Sequence, residues 1–262
     1  MQTNNQFSTE RFVALCRQSL IINKKVIWIT LGGSSVLLFF LLYFLQASQQ
    51  FSDWTNVDYS GVFAYLFFPL GILFAGLAFP AFRTKEKSMA YLMLPASRTE
   101  KFLFELATRI LLFILIIPPM FWAIANLEGI IVNGFAPELV HYRFSFVEVW
   151  LKLTSHGHFG GWTLFAVVQG WLFSLFLFFA GASHFSKMPF RKTWFSIGVL
   201  FFGYTFFILL LGKVLNLHGI VNIRLFFFKT DNAAIAALSI LITAINLCLL
   251  AIAWYRLKEK EA

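Results

Sequence analysis

Charge is what this sequence has least of. Only 13% of its 262 residues are Asp, Glu, Lys or Arg, against about 25% in ordinary soluble domains. With 59% hydrophobic residues, that shortage excludes a soluble globular domain and points to an integral membrane protein. Cysteine is equally scarce. Cys16 and Cys248 have neither the number for a disulfide framework nor the spacing of a metal site. A secretory leader is not expected either, because polar sequence carrying Arg11, Arg17, Lys24 and Lys25 precedes the first long apolar run and no cleavage pattern follows it. Catalytic signatures are missing too. The chain contains no G-x-x-x-x-G-K-[ST], H-E-x-x-H or G-x-S-x-G, so it holds no phosphate loop, zinc-protease helix or nucleophile elbow. It is not expected to be an enzyme by itself.

What is present is apolar and helical in length. A bilayer core about 30 Å thick needs roughly 20 residues at about 1.5 Å each. Six segments fit: 26–45, 61–82, 110–127, 162–182, 194–211 and 233–255, none with an Asp, Glu, Lys, Arg or His. Ionisable groups inside spans mark ion and proton paths, so their absence argues against a proton- or sodium-coupled pump. Uncharged polar residues do occur mid-span, among them Gln169, Ser174, Thr205, Ser239, Thr243 and Asn246, and are expected to bond between helices. The fold class expected is an all-α membrane protein forming a single transmembrane domain over 1–262.

The basic residues divide unevenly between the connections. Sixteen of the 21 Lys and Arg fall in the N-terminus, the loops 83–109 and 183–193, and the C-terminus. By the positive-inside rule these are cytoplasmic, which requires an even number of spans and agrees with six. Residues 1–25 are expected to hold an amphipathic helix along the cytoplasmic interface, with Phe12, Leu15, Cys16 and Ser19 at helical spacing. The extracytoplasmic loop 128–161 contains FSFVEVWLKL, an interfacial helix or short strand. Its His156 and His158, with His141 and Glu138, have metal-ligand types but a spacing that defines no site.

The loop 83–109 mixes six basic with three acidic residues and several large apolar ones. Thr84 is placed to cap a short helix over 85–92, with Glu86 near its positive end and Met89, Leu92 and Met93 forming an apolar edge. Tyr91, Met93 and Leu94 are expected to be exposed. Pro95 ends that helix and pushes Leu94 towards an extended conformation. Ser97-Arg98-Thr99-Glu100 then matches a capping box. Lys101, Glu105 and Arg109 follow at i, i+4 and i+8, placed to pair, and the helix continues into the third span until Pro118-Pro119 kinks it.

These residues resemble a family. In ABC transporter permeases of the ABC-2 type, the cytoplasmic loop between spans two and three carries an acidic residue, a short helix, an L-P-[IVA]-S-R-like turn and a basic residue opening the next helix. Here the positions read Glu86, then Leu94-Pro95-Ala96-Ser97-Arg98, then Glu100-Lys101. The resemblance implies the transmembrane subunit of an exporter in a bacterial inner membrane. It also implies a separate cytoplasmic ATPase that holds ATP and Mg, and a second permease copy or paralogue completing a dimer. This chain itself is expected to hold no cofactor or metal, and its other partners to be membrane lipids rather than nucleic acid. The coupling residues implied are Glu86, Met89, Leu94, Pro95, Ser97, Arg98, Glu100 and Lys101. The outer loop 128–161 is longer than the resemblance leads one to expect. The alternatives are a non-transporting scaffold docking a cytoplasmic protein through the same loop, and a lipid-processing enzyme using Glu86, Glu100, Glu105 and His184.

Overall fold

The computed structural model describes residues 7–48, 54–94, 96–135, 143–155, 161–185, 187–214 and 231–261. Among these residues there are helices and turns and no strand. The chain divides into two compact units, one from Met1–Phe74 with Pro95–His158 and one from Ala75–Leu94 with Phe159–Ala262.

The first unit opens with α1, Thr9–Ser48, one unbroken helix of 40 residues. At about 1.5 Å per residue it is roughly 60 Å long, twice a bilayer core. The helix expected along the interface is therefore not a separate element but the outer half of this rod. Nothing stops it at Lys24-Lys25, because neither residue breaks a helix and no Pro or Gly lies before Gly32. The small pair Gly32 and Gly33 receives no neighbour within 4 Å of where a Cβ would lie.

The second helix, α2, is Asn56–Gly76, shorter at its far end than the predicted span 61–82. Pro80 explains the difference. Pro80 has no N–H to continue the helical ladder, and Phe79 takes the left-handed conformation (φ 53°, ψ 49°) before a 3-10 turn at Pro80–Arg83. A bulky side chain there costs about 1–3 kcal/mol and needs packing to hold it. The Phe79 ring is 2% exposed and lies 5.1 Å from that of Phe179.

After α3 (Lys85–Leu92) and α4 (Arg98–Leu106), a π-helical turn at Ala107–Leu111 leads without a break into α5, Leu112–Phe135. Pro118 and Pro119 lie inside α5 and do not end it. The helix passes the predicted limit at 127 and takes Glu128 in with it. The first unit closes with α6, Phe146–Ser155, which decides the sequence's helix-or-strand alternative in favour of a helix.

The core of the first unit is aromatic. Leu38, Leu42, Trp54, Tyr59, Phe121, Ile124, Ala125 and Phe144 form its buried cluster. Phe63 meets Phe121 and Phe146 edge-on, each at 5.1 Å. Lipid tails are as apolar as these side chains, so the gain on association is dispersion and shape fit rather than removal from water.

The second unit gathers α7 (Gly161–His184), α8 (Pro189–Val214) and α9 (Asp231–Glu261), with α7 packed against both others. Gly181 allows one close approach: a Cβ there would fall 2.0 Å from Thr193 Oγ1. Asn246 bonds across to Gln169 Oε1 at 3.0 Å, the interhelical bond expected of mid-span polar residues. Ser174, Thr205, Ser239 and Thr243 instead bond to carbonyls of their own helices, the back-bonding that short hydroxyl side chains reach more readily than a neighbouring helix.

Among the described residues, five helices are long and apolar enough to cross a membrane: Thr9–Ser48, Asn56–Gly76, Arg98–Gly134, Gly161–His184 and Ala233–Lys260. The remaining predicted span, 194–211, lies within α8, whose side chains beyond 207 are outside the described residues. So are Glu138, His141, His156 and His158. Cys16 and Cys248 are free thiols.

Candidate functional site

The two halves of the loop 83–109 belong to different units, the division falling between Leu94 and Pro95. In the second unit, α3 spans the residues predicted for it. Thr84 has the extended backbone of an N-cap but makes no side-chain capping bond. Glu86 is exposed, and Met89 and Met93 are 61% and 82% exposed, so the expected apolar edge faces outward at these two positions. Leu94 is half-buried, while the side chain of Leu92 and the whole of Pro95 lie outside the described residues.

Tyr91, expected to be exposed, is buried at 9%. Its ring meets Phe82 edge-on at 5.4 Å. Phe82 in turn lies under Lys260 Nζ at 4.6 Å, and that ammonium donates to the Ser183 carbonyl at 2.7 Å. One cation thus serves an aromatic face and the C-terminal carbonyls of α7, where positive charge is favoured. Arg83 donates to the Leu77 carbonyl just past the end of α2, at 3.2 Å. These contacts fasten α3's turn to its own unit.

In the first unit, α4 begins with the predicted capping box. The Ser97 hydroxyl accepts from the Glu100 N–H at 3.3 Å and Glu100 Oε2 accepts from the Ser97 N–H at 2.8 Å. Glu100's second oxygen does something local sequence does not announce. It accepts from the backbone N–H of Ser8 at 2.7 Å and from Arg11 Nη2 at 3.0 Å. Ser8 stands at the start of α1, so one carboxylate, itself 0% exposed, caps two helices. All its partners are donors, as an acceptor-only carboxylate requires.

Ser97 and Lys101 are also buried, and Arg98 is half-buried. Glu105 pairs with Arg109 at 3.6 Å, one link of the predicted Lys101-Glu105-Arg109 series. Thr108, within the π-helical turn, donates to the Phe104 carbonyl at 2.8 Å. Such turns relax the helical hydrogen-bond ladder locally and recur at functional positions.

A second polar constellation was not foreseen. Gln46 Nε2 donates to the Tyr59 hydroxyl at 2.8 Å and to Glu128 Oε2 at 2.9 Å, and the Tyr59 hydroxyl lies 3.3 Å from the same oxygen. Gln46 and Glu128 are 0% exposed and Tyr59 is 1% exposed. Among the described residues Glu128 Oε1 has no hydrogen-bond partner. The three residues lie just beyond the predicted limits of their spans, at 45, 61 and 127, so they knot three helices together at one level. Nearby Asn56 donates to Glu148 of α6 and accepts from the Ser145 N–H at 3.0 Å. The signal available in the sequence was that each of these spans ends on a side chain able to bond to the others.

By the length and composition of its helices the chain is a multi-pass helical membrane protein. Compared with protein-family models, curated proteins and solved structures, it matches none.

Proposed function

We propose that the chain is the transmembrane subunit of an ATP-driven exporter of the ABC-2 kind, coupled through the loop 83–109 to a separate cytoplasmic ATPase. The observation that carries this reading is the build of α3. Its turn is fastened beneath by Tyr91, Phe82 and Lys260, while Glu86, Met89 and Met93 stand outward. A rigidly mounted helix that presents unbranched, adaptable thioethers is suited to a protein partner. The capped α4, running into α5 without interruption, gives the other half of the loop a direct connection to a spanning helix.

In this reading ATP binding closes the partner, closure favours one arrangement of the spans, and the equilibrium shifts by the partner's differential affinity for the two arrangements. The protein has six spans, the fifth being 194–211, with both termini and the loop 83–109 cytoplasmic in a bacterial inner membrane. It works with a second copy or paralogue. The chain holds no ATP or Mg itself.

The test is co-purification from native membranes. The expected result is a subunit carrying a phosphate-binding loop, lost on Met89→Glu with Met93→Glu and on Arg98→Glu, with insertion unchanged. Glu is favourable in the first turn of α4, so Arg98→Glu spares the helix. Undiminished recovery of the ATPase with both variants overturns the proposal. Orientation is checked separately by thiol labelling of single cysteines placed in 83–109 and 128–161, after Cys16 and Cys248 are replaced.

A further inference from the structure

Arg17, Leu20, Ile21, Lys24, Ile27, Trp28 and Leu31 lie on one face of α1 and line an open groove of ≈ 330 Å³. Their spacing of i, i+3, i+4, i+7, i+10, i+11 and i+14 is a continuous helical stripe. Along the stripe Arg17 comes first, Leu20 and Ile21 separate it from Lys24, and Ile27, Trp28 and Leu31 follow on the apolar side of Lys24. Arg17 and Lys24 are exposed and make no ion pair among the described residues, and no acidic side chain lines the groove. The nearest acid on α1, Glu10, lies about two turns further out. Ile21 is 65% exposed and Trp28 67% exposed, so the apolar part also lacks a cover from this chain.

We infer that this groove binds an anionic glycerophospholipid, with the headgroup phosphate between Arg17 and Lys24 and the upper acyl chain along Ile27, Trp28 and Leu31. The predicted apolar stretch begins at Val26, which sets Lys24 at the edge of the hydrocarbon core. Side chains on a helix lean towards its N-terminus, here away from the core, so Lys24 is directed to headgroup level and Arg17 stands about 10 Å further along. Trp28 lies one turn inside Lys24, the depth favoured by indole rings at a membrane interface. A second copy of the chain is the poorer occupant, because a two-fold contact through this face sets Arg17 and Lys24 against their own equivalents.

The experiment uses the full chain in mixed micelles. Phosphatidylglycerol is titrated against phosphatidylcholine and bound lipid is counted by native mass spectrometry, with oligomeric state read from the same spectra. Retained phosphatidylglycerol is expected, weakened about five-fold by Arg17→Gln or Lys24→Gln singly and roughly thirty-fold by both. Lys25→Gln, one residue off the groove, leaves it within two-fold. Trp28→Ala lowers binding of long-chain lipid, and inorganic phosphate at the same concentration does not compete. Equal retention of the two lipids overturns the inference. So does an effect of Lys25→Gln as large as that of Lys24→Gln, which indicates diffuse charge. Competition by inorganic phosphate, or a double variant that changes oligomeric state while keeping its lipid preference, overturns it as well.

Discussion

Ser8 donates its backbone N–H to Glu100 Oε1 across 2.7 Å, which brings the first residues of α1 onto the first turn of α4. Glu100 already closes the capping box of α4 through its other oxygen. The two helix starts therefore share one negative charge, placed where both helix dipoles favour it.

Glu100→Ala is expected to be more damaging than Ser97→Ala. Losing the Ser97 cap costs about 1 kcal/mol. Removing the carboxylate also deprives Ser8 and Arg11 of their acceptor, and hydrogen bonds to charged groups are worth about 1.5–3 kcal/mol each. Thermal unfolding in detergent should rank wild type above Ser97→Ala and Ser97→Ala above Glu100→Ala. Limited proteolysis should cut the start of α1 sooner in Glu100→Ala alone. If the two variants melt together and are cut alike, the bond to α1 contributes nothing.

The Glu128 knot makes a different prediction. Glu128→Gln keeps an acceptor oxygen for Gln46 and Tyr59 while replacing a buried carboxyl group whose Oε1 is unpartnered among the described residues. It should match or exceed wild-type stability. Glu128→Ala leaves two buried donors unsatisfied, at about 1–3 kcal/mol each, and should melt well below both. A Glu128→Gln variant as unstable as Glu128→Ala shows instead that the ionised carboxylate is required.

How much of this was legible follows from the range of each interaction. The Ser97–Glu100 box and α3 were readable because a cap and a proline act within four residues. The attachment of Ser8 and Arg11 to Glu100 was not, since nothing in the local spelling of α1 names a partner some 90 positions away. Tyr91 was misplaced for the same reason: a short polar helix gives no hint that one of its faces rests on Phe82. Hydropathy placed five of its six segments on helices long and apolar enough to cross a membrane, but not their ends. A helix continues as long as its backbone permits, so α1 runs outward past Lys24 and α5 runs on past Glu128. The loss of Phe79-Pro80 from the second helix was local and readable, and apolar composition masked it.

The closeness of α7 and α8 is testable at Gly181. A Cβ there falls 2.0 Å from Thr193 Oγ1 and 2.8 Å from Cγ2, while Thr193 is held by its own bond to the Pro189 carbonyl at 2.8 Å. Overpacking of this kind costs about 1–3 kcal/mol. Gly181→Ala should lower the melting temperature, and adding Thr193→Ala should recover part of the loss by deleting both crowding atoms. A double variant no better than the sum of the singles would falsify direct contact as the cause.

Besides the bond from Lys260 to the Ser183 carbonyl, Asn246 ties α9 to α7, from its Nδ2 to Gln169 Oε1 at 3.0 Å and more weakly to the Gln169 carbonyl at 3.3 Å. Interhelical bonds in membranes average about 0.6 kcal/mol, with a maximum near 1.7, because an unpaired partner finds other acceptors. The backbone carbonyl is such an acceptor here and survives any change at position 169. Gln169→Leu should therefore be mild, while Asn246→Leu, which removes the donor to both oxygens, should cost more. A double-mutant cycle on Gln169→Leu and Asn246→Leu, read by thermal unfolding, is expected to give a coupling smaller than the Asn246→Leu effect. A coupling equal to that effect assigns the whole interaction to the side-chain bond and leaves the carbonyl contact no share.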